Sequence, residues 1–198
     1  MQHRGLWALV SVVALAAAGC SQQSAGSNGA AAAGVPATAP SSGFAFASDP
    51  CQVVMTATRA VLQHDHATQM TLPAMASGTS RQAQSVQVGG KTYIQVDNVW
   101  TVSRMSVADE LQTVNDEAKT AQTTCKAAGA DVINGQPVSI YDAHVVNQGS
   151  TSDNRLWISV ASGLPLKIET HLDTGGVSTQ LIRYDNVTAP ANVQTSPG

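Results

Sequence analysis

The chain has 198 residues and a formal net charge of −3, and charged residues make up 12% of it, against about a quarter in ordinary globular domains. So little charge, with no basic excess, excludes nucleic-acid binding and steering to acidic lipid through a basic patch. Residues 48–190 suffice for one domain that buries about two-thirds of its unfolded surface, and they are too few for two.

The first residues, Met-Gln-His-Arg, hold one Arg and no acid, and a run of about 13 residues from Leu6 to Ala18 follows. That run is too short to span a bilayer and has the length of a signal-peptide core. Ala17-Ala18-Gly19-Cys20 resembles the lipobox of bacterial lipoproteins, in which the Cys becomes the lipidated first residue of the mature chain. The resemblance implies a signal peptide over 1–19 and a membrane anchor at Cys20. An ordinary cleaved export signal is the alternative, because a small-residue cleavage site is common to both. In proteins with such signals an Asp after the Cys favours the inner membrane. Ser21 stands there and points to the outer membrane, facing the periplasm of a Gram-negative cell. Residues 20–47 are rich in Ser, Gln, Gly, Ala and Pro and carry no charge. Such a segment is too poor in large apolar groups to offset the entropy of ordering, and it reads as a flexible tether with a reach of about 30 Å.

Asp49-Pro50 starts a helix, with Asp as N-cap and Pro at the first helical position. Its stripe is Cys51, Val54, Met55, Thr58, Val61 and Leu62, and it ends near His64. Four strands follow, at 67–73, 81–88, 91–96 and 99–103. Gly89-Gly90 and Asp97-Asn98 are the links that favour tight hairpin turns. A second helix begins at Ser106, where Asp109 completes a capping-box-like start. Its stripe of Val107, Leu111, Val114, Ala118, Ala121 and Cys125 predicts a helix that ends before Gly129.

Beyond it the pattern predicts strands at 131–134 and 137–146, a polar loop over 147–154, and a three-strand meander from Arg155 to Pro190. In that meander Leu166, Ile168, Thr170 and Leu172 alternate with Lys167, Glu169, His171 and Asp173, the period of a half-buried strand. Its flanking strands put apolar residues on both faces: Trp157 opposes Leu156 and Ile158, and Ile182 opposes Leu181. Residues 191–198 read as a disordered tail. The order of elements is that of an α+β domain with an antiparallel sheet.

NGQPVSIYDAHVV, RLWISVASGLPLKIET and YDNVTAP together resemble the LolA/LolB-like periplasmic lipoprotein-carrier superfamily. The resemblance implies a curved antiparallel sheet, a half-open barrel with two covering helices over an apolar pocket for acyl chains. It also implies a lipid or lipoprotein client. No counterpart of the carrier's Arg-centred gating stands in this sequence.

With Cys20 lipidated, Cys51 and Cys125 are the remaining thiols, and in an exported chain an even pair reads as a disulfide. The expected bridge pins the start of the first helix to the end of the second. His64-Asp65-His66 holds two metal-ligand types, yet no third and fourth ligand can be placed beside it. At a helix C-terminus, His is equally explained by the dipole. No Gly-x-Ser-x-Gly or other nucleophile setting occurs, so neither an enzyme nor a metal or other cofactor is expected.

Two functions remain. One is a monomeric envelope lipoprotein that binds a lipid, acyl chain or other apolar ligand between sheet and helices. The other is a sensor or protein-interaction module with a filled core. The small residues of the second helix predict a gap against the sheet. Its candidate lining is Met70, Leu72, Ile94, Trp100, Leu111, Val114, Ile140, Trp157 and Leu166.

Overall fold

The computed structural model describes residues 47, 49–73, 80–172 and 176–194, with the side chains of Val96 and Leu172 left aside. The signal peptide, Cys20, nearly all of the tether and residues 195–198 lie outside the described residues.

Helix α1 spans Pro50–Gln63 and is capped as its sequence dictates, with the Asp49 carboxylate accepting from the Cys51 amide at 2.9 Å. Strands β1 (His66–Leu72), β2 (Arg81–Val88), β3 (Lys91–Val96) and β4 (Val99–Val102) follow. Gly89, Gly90, Asp97 and Asn98 all have positive φ, the torsions that two-residue hairpin links require. Helix α2 spans Val107–Ala118 behind a full capping box between Ser106 and Asp109.

The second helix stops at Ala118, ten residues short of the predicted limit. Strand β5 (Gln122–Ile133) takes over, and Cys125 sits on it rather than on a helix. Thr120, Thr123 and Thr124 are β-branched and favour the extended chain. Eleven cross-strand pairs with β6 (Gln136–Asn147) then outweigh the helical stripe. The predicted polar loop is likewise mostly strand. Gln148 and Gly149, both at positive φ, make a tight turn, and β7 (Ser150–Ser159) begins at once. Strands β8 (Pro165–Leu172) and β9 (Val177–Arg183) complete the meander.

The nine strands form one open antiparallel sheet in the order β4-β3-β2-β1-β9-β8-β7-β6-β5. Two meanders, β1–β4 and β5–β9, are joined by the β1·β9 pairing, so the edge strands β4 and β5 are neighbours in sequence, linked through α2. The fold is the expected α+β arrangement, a curved, unclosed sheet with two helices. The tail departs from expectation, since the Gln194 amide donates to the Trp100 carbonyl at 2.8 Å and bridges β4 in parallel at Thr101.

The register sorts side chains between two faces. Leu156 opposes Ile168 and Tyr141, and with Ala143, Val145 and Ile158 these residues meet Val53, Val54 and Ala57 of α1 and Ala118 of α2. Ile158 and Val54 are fully buried there. Thr170 donates to Asn154 across β8 and β7 at 2.9 Å, which satisfies both polar groups within this layer. At the other end of α1, the Gln87 amide donates to the carbonyls of Leu62 and His64 and ties the last turn to β2.

Cys51 and Cys125 form a disulfide with Cα atoms 5.1 Å apart, so the bridge pins α1 to the edge strand β5 rather than to α2. It closes a separation of 74 residues, worth about 4 kcal/mol in the chain-entropy account. Replacing both Cys by Ser should lower the unfolding free energy by roughly that amount, read from urea melts of the oxidised protein.

Just beyond α1, His66 is buried against the Tyr184 ring, with His64 and Asp65 as its titratable neighbours in sequence. Burial pushes the His66 imidazole below its ordinary value, with hydrogen bonding to the His64 carbonyl opposing it, and burial pushes the Tyr184 phenol up. As pH falls, the unfolded chain therefore takes up the His66 proton first, and stability drops below about pH 6.5 toward the lower folded value. Denaturation melts between about pH 8 and about pH 5 should show this loss, and His66→Gln should flatten it.

Candidate functional site

The face away from the helices begins, at its far end, with a ladder of charges. Lys126, Asp142, Arg155 and Glu169 lie directly opposite one another across β5, β6, β7 and β8. Arg155 grips Asp142 with two hydrogen bonds of 2.7 and 3.1 Å, and Lys126 stands 3.7 Å from the same carboxylate. The Arg155 hydrogen bonds, first among the causes, hold the Asp142 carboxyl below the usual range. The next row sets His144, Asp153 and His171 side by side, with His144 Nδ1 2.7 Å from Asp153. Lys126, Asp142 and Arg155 of the first row and all of the second border a hollow of about 590 Å³. Each charge has an opposite one beside it, so this zone is solvated and self-neutralising.

Toward the other end the same face turns apolar. Ile140, Trp157, Lys167 and Leu181 form one cross-strand row. The Lys167 ammonium lies 4.2 Å from the Trp157 ring centroid and 2.7 Å from Glu169, so it covers the indole while staying paired. Leu181 is 47% exposed at the end of the row, a large apolar side chain left uncovered beside buried Ala67 and Val86.

There the sheet opens into a cleft of about 910 Å³. Its floor is the outward row of β1, β2, β4 and β9, with Ala67, Val86, Trp100 and Leu181 as its apolar members and Gln69, Gln84 and Arg183 as its polar ones. Leu164 and Leu166 close one side, and Ile133, Asn134 and Gln136 at the tip of the β5–β6 hairpin close another. The segment after β9 supplies Thr188 and Pro190. It is fastened by the Tyr184 hydroxyl, which donates to the Pro165 carbonyl at 2.9 Å, and by Arg183, which donates to the Asp185 carbonyl at 2.8 Å.

The nine candidate lining residues divide between the faces. Met70, Leu72 and Ile94 share the face of Ile168 and Leu156, under the helices that carry Leu111 and Val114. Trp100, Ile140 and Trp157 face the other way, and Leu166 joins them at the cleft. No single gap between sheet and helices gathers the nine. The contiguous core of α1, α2 and β5–β8 occupies the space under α1. Only Trp100 and Leu166 of the nine line the large cleft. Leu181, Val86, Leu164 and Ile133 were not among the candidates; the opposed parities of Leu181 and Ile182 were the sequence signal for a second apolar face.

His64, Asp65 and His66 are each used locally. His64 donates to the Ala60 carbonyl, Asp65 accepts from the Gly89 amide, and His66 bonds the His64 carbonyl. Among the described residues no three His, Cys, Asp or Glu groups converge to hold a metal ion.

No protein-family model matches the chain, and no curated protein sequence matches it. Among solved structures it is similar to the lipoprotein LppX of Mycobacterium tuberculosis, at 13% identity over 74% of this chain and 100% of that one, with a TM-score of 0.43. It is also similar to LprF of Mycobacterium bovis, at 11% identity over 72% and 96% of the two chains and a TM-score of 0.42. A LolA superfamily protein of Nitrosomonas europaea matches at 8% identity over 69% and 92%, with a TM-score of 0.31. At these identities and TM-scores the likeness assigns the chain neither a family nor an activity.

Proposed function

We propose that the chain is a lipid-anchored protein of the cell envelope that binds an acyl chain or similar apolar ligand in the cleft on the helix-free face. The observation that carries the reading is Leu181, 47% exposed on the floor of a cleft of about 910 Å³. A ligand site of ordinary size has about 300 to 1,000 Å³, and this cleft is mixed, its apolar floor ringed by polar groups that include Gln69, Gln84, Asn134, Arg183 and Asp185. The cleft lies on the face opposite the gap that the sequence suggested, and under α1 that gap is filled by packed side chains. In this reading 1–19 is removed, Cys20 bears the lipid, 20–47 is the tether, and 48–190 binds the ligand near the outer membrane.

The second reading is a protein-interaction module, and the filled core under α1 favours it. There the same cleft takes a side chain or segment of a protein client instead of a lipid.

Native mass spectrometry of the protein made without its lipid separates the two. Copurified fatty acid or phospholipid supports the first reading; a clean mass together with no uptake of a fluorescent fatty acid rejects it. Leu181→Glu should weaken uptake by at least about tenfold, the scale of one buried leucine side chain. Leu111→Asn, on α2, should leave uptake unchanged, and the opposite ranking would return the site to the helix side. For the anchor, mass spectrometry of the mature N-terminus should find a diacylglyceryl-modified Cys20, and a start at Ser21 or later without lipid would refute it.

A further inference from the structure

Three of the six large apolar residues that stand exposed among those described lie within one seven-residue stretch: Val99 at 37%, Val102 at 36% and Met105 at 48%. The stretch is the edge strand β4 and the loop after it. Trp100 sits between them and shares the outward face with Val102, since Trp100 pairs with Gln95 and Val102 with Tyr93 in one register. Trp100 also lines the large cleft. The exposed edge and the cleft are therefore continuous through one indole. Between Val99 and Met105 the only charge is Arg104, and the nearest preceding acid, Asp97, is paired with Arg81 at 3.7 Å.

We propose that this edge docks on the lipid bilayer, with Val102 and Met105 entering the interface and Trp100 at headgroup level, so that the cleft opens toward the membrane. The proposal rests on the lipid-anchored reading above. A bilayer is the occupant favoured because the chain before Asp49 ends at the lipid-bearing Cys20. The tether, residues 20–47, enters at α1 beside the opposite edge strand, to which Cys51 is bonded. Extended, those residues reach roughly 90 Å, against a sheet about 40 Å across, so the β4 edge is free to turn to the membrane. Valine, methionine, tyrosine and tryptophan beside one arginine, with no acid among them, is the chemistry of an interfacial contact. Apolar insertion rather than charge supplies the attraction, so it should persist on neutral lipid and in high salt.

The test uses the mature chain from position 20 with Cys20→Ser, which lacks both signal peptide and anchor, and vesicles of phosphatidylcholine. The protein should cosediment with the vesicles in low and high salt, and Val102→Glu or Met105→Glu should weaken this by about tenfold, the scale of burying one such side chain. With Trp157→Phe added, Trp100 is the one tryptophan after the signal peptide, and its emission should shift to the blue on vesicles. Cosedimentation of the Trp157-containing protein reads the same property should that core change unfold the domain. No cosedimentation, or binding that salt abolishes, overturns the proposal. So does a dimer in solution that Val102→Glu breaks while vesicles go unbound. Failure here with fatty-acid uptake intact removes the docking surface and leaves the cleft; vesicle binding with no uptake does the reverse.

Discussion

The pairing of β7 between β6 and β8 decides which medium every apolar side chain of this domain meets. Leu156 and Ile158 point to the helices, and Trp157 between them points away. Because side chains alternate strictly along a strand, a one-residue slip would carry the whole set to the wrong face. The ladder therefore does more than hold backbone groups together. It fixes a packed layer on one side and leaves an indole on the other, where the Lys167 ammonium covers it.

The two faces have divided the chemistry between them. Under the helices, buried polar side chains bond each other or the backbone, as Thr170 does with Asn154 and Gln87 with the Leu62 carbonyl. On the open face, charges crowd one end and apolar groups the other. The charged end satisfies itself: the Asp142 carboxylate has two cations beside it and Arg155 has two acids near, so the zone exerts little field at a distance. The apolar end has no such internal partner, and Leu181 and Val102 stand exposed.

Much of the architecture was legible in the sequence. Asp49-Pro50, Ser106 with Asp109, Gly89-Gly90 and Asp97-Asn98 are local signals whose physics acts within a few residues, and each marks an element boundary the structure keeps. The end of α2 was not legible, because Ala118, Ala121 and Cys125 continue the helical spacing by coincidence. What overrides it is a partner strand distant in sequence. The candidate lining mixes the two faces. Alternation alone separates Met70, Leu72 and Ile94 from Trp100, Ile140 and Trp157, and at Leu166 a bulge breaks the count. One bulge lies between Ala127 and Gly129, another where Trp157 and Ile158 meet β8, and the second turns Leu166 from its expected face to the cleft.

An open sheet has two edges, and this one treats them differently. At β4 the chain's own Gln194 occupies the Trp100 carbonyl. At β5, Gly129 with φ of 130° kinks the strand beside its bulge, and the Asp131 carboxylate takes the Val132 amide at 2.8 Å. Both devices remove backbone groups that a neighbouring strand would otherwise use. On the anchored reading, in which copies meet far more often than in free solution, this is protection against strand-by-strand stacking into a continuous sheet. Losing the residues around Gln194 would then show itself first as a change in colloidal behaviour, with the fold of the individual molecule still intact.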